Sequence, residues 1–241
     1  MHKNKQFVGY FDILGYRERI KNKTLQGEFE IQKKLLDDIN KFIKDSKEII
    51  KCGVINFSDT YIIFSEDFSR IIRGSLLFMM FAAVRAVPYF PIRGAISFGD
   101  FLFDKENKII IGSALRDAYL IEKEQDWMGC CLADSCYEQA EYHSLQALNF
   151  FLNKGVLVKY DVPLKENRLV SRYVINMESY PRIWGKYIRE MPITNKGFIE
   201  NIFLNKGKDD DALELDKKTL KKLKNTQEFF SYIEDIKYRF S

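Results

Sequence analysis

Apolar and polar positions alternate along this chain in two rhythms. Phe7 to Leu14 form a short apolar run typical of a largely buried strand, ended by Gly15 and the charged RERIKNK stretch. From residue 27 to 50 the spacing lengthens. Phe29, Ile31, Leu35, Leu36, Ile39, Phe42, Ile43 and Ile49 recur at helical intervals among Lys, Asp and Glu, which predicts one long amphipathic helix. Val54 to Phe57 and Tyr61 to Phe64 then read as two strands joined by Ser58, Asp59 and Thr60, a hairpin with Asp59 at its tip. Ser69 to Ala86 is an unusually apolar helix closed by Pro88 and Pro91. FPIRGAISFGDFLFD and KIIIGSAL form another strand pair around a KENK turn. A helix from Ser113 to Glu124 and a strand at MGCCLAD come next.

This order predicts an α+β fold with an antiparallel-rich, ferredoxin-like sheet enlarged by extra elements, its helices on one face. No glycine-rich dinucleotide motif follows the first strand, which weakens a doubly wound alternative. From Gly155 the texture changes. GVLVKYDVPL and RLVSRYVINM read as two more strands, NKGKDDD as a polar loop, and the last stretch, LDKKTLKKLKNTQEFFSYIEDIKYRF, as a helix with a basic first half. Residues 1–175 are therefore expected to form the functional core, and residues 176–241 a packed C-terminal helical extension.

Composition narrows the choice of function. With 46% apolar and 15% aromatic residues, the 241-residue chain can bury a substantial core. A net charge of +4 suits an anionic ligand, but it is scattered without a basic arm, so nucleic acid is not an expected partner. Cys52, Cys130, Cys131 and Cys136 contain no CxxC pair, and they read as buried thiols rather than zinc ligands. The N-terminal stretch lacks signal-peptide features, and the apolar Leu76 to Val84 run is too short for a membrane span. A cytoplasmic setting is expected.

The candidate chemistry lies in two aspartates. Asp12 ends the first strand and Asp59 stands on the following hairpin. If those elements are neighbours in one sheet, both carboxylates can face one or two divalent ions, because Mg²⁺ takes hard oxygen ligands and combines one or two carboxylates with substrate phosphates. Alone, Asp12 also reads as a helix cap and Asp59 as a turn residue.

FDILGY around Asp12, SD at Ser58 and Asp59, PIRGAISFG and IIGSALRDAYLIE resemble, in order, motifs of the class III nucleotidyl cyclases across residues 7–125. The resemblance implies that Asp12, the Ile13 carbonyl and Asp59 hold two Mg²⁺ or Mn²⁺ ions. It also implies that amides around Leu14, Gly15 and Tyr16 receive the terminal phosphates. The implied reaction joins the ribose 3′ oxygen to the α-phosphorus and expels pyrophosphate.

The match departs from the family at four positions. Arg116 stands where members carry a helix asparagine, and Leu120 where they carry the arginine that stabilises the transition state. Arg116 is the first candidate for the missing charge, with Arg93 and Lys159 next; each also reads as a surface ion pair. Ile55 and Ile109 replace the side chains that read a purine. With that mismatch, the chain looks similar to cyclic-pyrimidine-forming cyclases of bacterial anti-phage systems, which implies conversion of UTP, or less favourably CTP, into a cyclic monophosphate that activates a separate effector. Asn56, Tyr61 and Arg93 are candidate base or ribose contacts. The family also implies a head-to-tail homodimer with composite sites. A catalytically silent nucleotide sensor or dimerisation scaffold, and a purine cyclase, stand as alternatives.

Overall fold

In the computed structural model, residues 5–22, 24–45, 51–84, 91–180 and 217–240 are described. Strand β1 (Lys5–Ile13) is followed by a short helix α1 (Tyr16–Asn22) and the long helix α2 (Leu25–Asp45). Next come the hairpin β2 (Gly53–Phe57) and β3 (Thr60–Ser65), helix α3 (Phe68–Val84), and strand β4 (Ile92–Asp100). A small ribbon, β5 (Leu102–Asp104) and β6 (Ile109–Ile111), leads into α4 (Ser113–Glu124) and β7 (Gly129–Leu132). Helices α5 (Asp134–His143) and α6 (Leu145–Asn153) precede the last pair, β8 (Leu157–Pro163) and β9 (Leu169–Ile175), and α7 (Lys217–Ile236) follows.

Seven strands form one sheet in the order β2-β3-β1-β4-β7-β9-β8. Every neighbouring pair is antiparallel except β4 and β7. The mixed, mostly antiparallel architecture expected from the sequence is therefore present. Helices α1, α5 and α6 were not anticipated; α1 forms from the RERIKNK stretch. The expected helix ends at 46–50 and 85–86, and the NKGKDDD loop, lie outside the described residues.

One expectation is corrected. Helices flank both faces of the sheet, and β1 shows why. Phe7, Phe11 and Ile13 belong to the main core, where Phe11 meets Phe78 of α3 at 5.1 Å between ring centroids. The alternate residue Val8 packs with Ile62, Phe101 and Ala114 of α4 in a second cluster, and Tyr10 meets Tyr119 of α4 at 5.4 Å. A strand that is apolar on both faces must be covered on both.

The C-terminal helix α7 is fastened to the strand end of α4 and β7. Phe229 meets Trp127 edge-on at 5.0 Å, Thr226 Oγ1 accepts from the Met128 amide at 2.9 Å, and Asn225 Nδ2 donates to the Asp126 carbonyl at 2.6 Å. Cys130, Cys131 and Cys136 are buried, and burial pushes the Cys131 thiol up to about 12. Among the described residues, no helix is long and apolar enough to cross a membrane.

Candidate active site

The site begins where β1 stops. Antiparallel pairing places Asp12 opposite Thr60 of β3 on one side and Arg93 of β4 on the other. One residue further, the Ile13 amide donates to the Asp59 carbonyl at 3.0 Å, which docks the β2–β3 tip onto the end of β1. The separation of Asp12 and Asp59 in sequence is thus closed by the sheet. The tip itself is tight: Ser58 has φ of 57°, an uncommon conformation for a residue with a Cβ. Asn56 secures the turn by donating from Nδ2 to the carbonyls of Ser58 at 3.1 Å and Thr60 at 3.2 Å. Behind Asp12 the chain turns through Gly15 at φ 75°, a left-handed position that glycine adopts without steric cost.

Around Asp12 lies a buried polar network. Arg93 donates from Nε to Glu122 of α4 in a close ion pair, from Nη1 to the Gln125 carbonyl at 2.9 Å, and its Nη2 stands 3.8 Å from Asp12 Oδ2. Gln125 completes the frame by donating to the Gly94 carbonyl at 2.9 Å and accepting from Trp127 Nε1 at 2.7 Å. Arg93 and Glu122 are buried at 7% and 3% exposure, so each charge depends on the other for compensation. Burial pushes the Asp12 carboxyl up to about 7, reinforced by the negative charges of Glu122 and Asp59 and opposed by Arg93 and Lys222. Burial likewise raises the Glu122 carboxyl, with Arg93 opposing it.

These donors fit a divalent cation of the magnesium type. Crowded carboxylates raise the affinity of Asp12 for positive charge, and Asp59 lies close enough to contribute to that effect. Glu122 is committed to Arg93. Among the described residues no group of three or more His, Cys, Asp or Glu is placed to hold a metal by itself.

Several residues singled out from the sequence lie elsewhere. Tyr61 is fully buried against Phe78, with ring centroids 4.8 Å apart, on the face of the sheet opposite Asp12, so it cannot touch a base or ribose there. The Asn56 amide is committed to the hairpin turn. Leu14 donates its amide to the Pro91 carbonyl at 2.8 Å and ties the turn to β4, which takes that amide away from a phosphate in this conformation. Arg116 is exposed and pairs with its neighbour Asp117 at 2.8 Å. Lys159 is exposed on β8.

Glu122, Gln125 and Lys222 were missed as parts of this environment. For Glu122 a signal existed: Ala114, Ala118 and Glu122 repeat at four-residue spacing along the buried side of α4, and a carboxylate continuing a small apolar stripe demands a partner. Lys222 had no comparable signal, since its position depends on how α7 docks.

No protein-family model matches the sequence, and no curated protein matches it. Solved structures do match in fold. The catalytic core of a rhodopsin-guanylyl cyclase with converted specificity, in complex with ATPαS, superposes with a TM-score of 0.54 at 14% identity, covering 72% of this chain and 96% of that one. The guanylate cyclase domain of RhGC from Catenaria anguillulae, in complex with GTP, gives 0.52 at 13% identity, covering 72% and 97%. A non-canonical dimeric guanylyl cyclase domain from the aquatic fungus Blastocladiella emersonii gives 0.50 at 10% identity, covering 71% and 95%. The chain has the fold of class III cyclase catalytic domains.

Proposed function

We propose that this protein is a divalent-metal-dependent nucleotidyl cyclase acting on a pyrimidine triphosphate, UTP before CTP. The observation that carries the reading is the junction of Asp12 and Asp59 at the end of β1, in a fold shared with adenylyl and guanylyl cyclase domains. Asp12, the Ile13 carbonyl and Asp59 hold the ions, and the Gly15 turn with Tyr16 faces the terminal phosphates. Bound there, two ions supply Lewis acidity toward the 3′ hydroxyl and charge neutralisation on the triphosphate. The chain's own part is positional. Arg93, fixed by Glu122 and Gln125, sets the charge beside Asp12, and the hairpin tip fixes Asp59. The O3′–Pα bond forms as the bond from Pα to the β-phosphate oxygen breaks, and pyrophosphate leaves while the 3′ proton passes to solvent.

Pyrimidine selectivity is supported by what stands at the purine-reading positions. Ile55 packs with the second core cluster and Ile109 is 53% exposed, and neither offers a hydrogen bond to a purine edge. A homodimer with composite sites is supported by apolar surface: the β5–β6 ribbon sinks Phe103 and Ile110 inward and exposes Leu102, Ile109 and Ile111, and α4 exposes Leu120. In this reading Arg116, exposed on the same helix, acts across the seam. A cyclic product acting on a separate effector, as in anti-phage signalling, completes the proposal.

The test is product formation. The purified protein is incubated with ATP, GTP, CTP or UTP and Mn²⁺, and products are identified by mass spectrometry beside an Asp59→Ala control. Cyclic UMP lost in the control is the expected result. Cyclic AMP or cyclic GMP would overturn the pyrimidine assignment, and no product from any triphosphate would favour a silent sensor or scaffold.

A further inference from the structure

Helix α7 carries a charge pattern that its own stability does not explain. Five lysines, Lys217, Lys218, Lys221, Lys222 and Lys224, fall within its first eight residues, and no acidic residue stands in its first turn. Cations at a helix N-terminus oppose the macrodipole, and like charges four apart, as in Lys218 and Lys222, repel. A helix serving only as a brace favours the opposite arrangement.

The docking of α7 directs one of these lysines. Thr226 and Asn225 bind the backbone of residues 126–128, and Lys221 Nζ reaches Asp126 Oδ2 at 2.5 Å. Residue 125, immediately before that anchor, gives its carbonyl to Arg93, whose other end stands by Asp12. One turn before Thr226, whose hydroxyl donates back to its carbonyl at 2.7 Å, sits the half-buried Lys222. Its positive charge is felt by both Asp12 and Glu122. By contrast Lys224, two residues on, is 76% exposed and faces Glu228.

We propose that Lys222 is a substrate-binding residue, an ammonium group delivered by the C-terminal helix of the same chain to the triphosphate held at Asp12 and Asp59. This rests on the reading of the site as a nucleoside triphosphate site. A compact ammonium with three rotatable donors suits a polyphosphate, whose oxygens present no single geometry. Delivery from α7 also makes the C-terminal segment part of the site, so the substrate bridges the ends of β1 and α7.

The experiment uses the full-length protein and inorganic tripolyphosphate as probe, titrated by calorimetry with Mn²⁺ at pH 8, and Mn²⁺ alone in a second series. Lys222→Gln is expected to weaken tripolyphosphate about tenfold, leave Mn²⁺ affinity unchanged or stronger because a repelling cation is gone, and leave the melting temperature unchanged. Lys222→Arg is expected to restore most of the loss, and Lys224→Gln to bind as the parent does. Equal tripolyphosphate affinity in Lys222→Gln and the parent overturns the assignment while the triphosphate site stands. Weakening of both tripolyphosphate and Mn²⁺, with a lowered melting temperature, also overturns it, because that pattern belongs to a structural lysine. Absence of tripolyphosphate binding by the parent overturns the site reading and this inference together.

Discussion

Two hairpins in this chain are built alike and used differently. Each carries an aspartate, and each turns through a non-glycine residue at positive φ, Ser58 at 57° and Lys108 at 56°. In the β5–β6 ribbon the aspartate serves the turn: Asp104 accepts from the amides of Glu106 and Asn107, both at 3.0 Å, and from Asn107 Nδ2 at 2.7 Å. Those bonds, the Asn107 side chain first, hold its carboxyl below the usual range. In the β2–β3 hairpin the turn is secured by Asn56 instead, and among the described residues no hydrogen bond engages the Asp59 carboxylate. Asp59 instead stands close enough to Asp12 to raise that carboxyl. A turn aspartate whose carboxylate the turn does not use, close enough to a second carboxylate to raise it, is free for the ligand role proposed above.

The largest expected effect tests that contrast directly. Asp59→Ala should lower the rate of cyclic nucleotide formation by about 10³-fold or more, since in the proposed site it removes a metal ligand, with little change in melting temperature. Asp104→Ala should do the reverse, shifting the melting temperature down by a few degrees and leaving turnover in place. Parallel rate and melting measurements on the two variants decide it. Equal turnover in both would end the distinction between the hairpins.

Next in size is the buried network beside Asp12, next to the hairpin that carries Asp59. Glu122→Ala leaves Arg93 buried without its carboxylate and should destabilise the fold by about 3–5 kcal/mol, read by urea unfolding. Arg116→Ala, on the exposed flank of the same helix, should stay within about 0.5 kcal/mol because its pair with Asp117 is solvated. If Arg116 acts across a dimer seam, its loss appears in turnover alone.

The succession of strands and helices along the chain, and the placing of Asp12 at the end of a strand and Asp59 in a hairpin turn, were legible in the sequence because they rest on local signals. An apolar run marks β1, a short polar gap marks the hairpin, and the aspartates fall one at the end of that run and one in that gap. What could not be read depends on contacts between distant segments. Tyr61 was a candidate base or ribose contact, yet strand alternation turns it into the core beside Phe78. Arg93 was singled out for its charge, but its partners Glu122 and Gln125 lie 29 and 32 residues away and are brought to it by α4. Lys222 is further still. Its place follows from the docking of Phe229 on Trp127 and Thr226 on Met128, and no spacing within the sequence encodes that. The helices on both faces were missed for a related reason: an apolar run does not by itself show that Val8 and Tyr10 need cover on one face of the sheet and Phe7 and Phe11 on the other.

A smaller effect concerns the acidity of Asp12. Its carboxyl is raised to about 7 in the folded protein against the ordinary value of 3.8, so between those values the folded state holds a proton that the unfolded state has released. Stability therefore falls as pH rises through that window, and the cost is fully present above pH 7. Asp12→Asn removes it. After allowance for solvent screening of a side chain that is 25% exposed, the gain at pH 8 should be on the order of 1–2 kcal/mol, vanishing toward pH 4. Urea unfolding of both proteins across that range checks the sign. A gain that is the same at pH 4 and pH 8 would mean that the carboxylate charge is not its source. The Asp104 hairpin should show the opposite trend, its contribution present at neutral pH and lost on acidification, because its carboxyl is held low.

The smallest effect separates the hairpins by their strain. Ser58→Gly and Lys108→Gly each place glycine where the chain already has a positive φ, so each removes a steric penalty in the folded state, and each also adds freedom to the unfolded chain. The two terms oppose one another, and the net change in stability should be within about 1 kcal/mol for both. Turnover should not be alike. In the β5–β6 ribbon the Asp104 bonds hold the turn whichever residue occupies position 108, and that position does not adjoin either of the two aspartates at the end of β1, so Lys108→Gly should leave the rate where it was. In the β2–β3 hairpin the Cβ of Ser58 limits the conformations open to the residue immediately before Asp59, and glycine widens them. Ser58→Gly should therefore lower turnover several-fold at nearly unchanged stability, and extra Mn²⁺ should restore part of it by drawing Asp59 back to the ion. Full activity in Ser58→Gly at limiting Mn²⁺ would show that the tip is fixed by the Ile13–Asp59 backbone bond and the Asn56 amide alone.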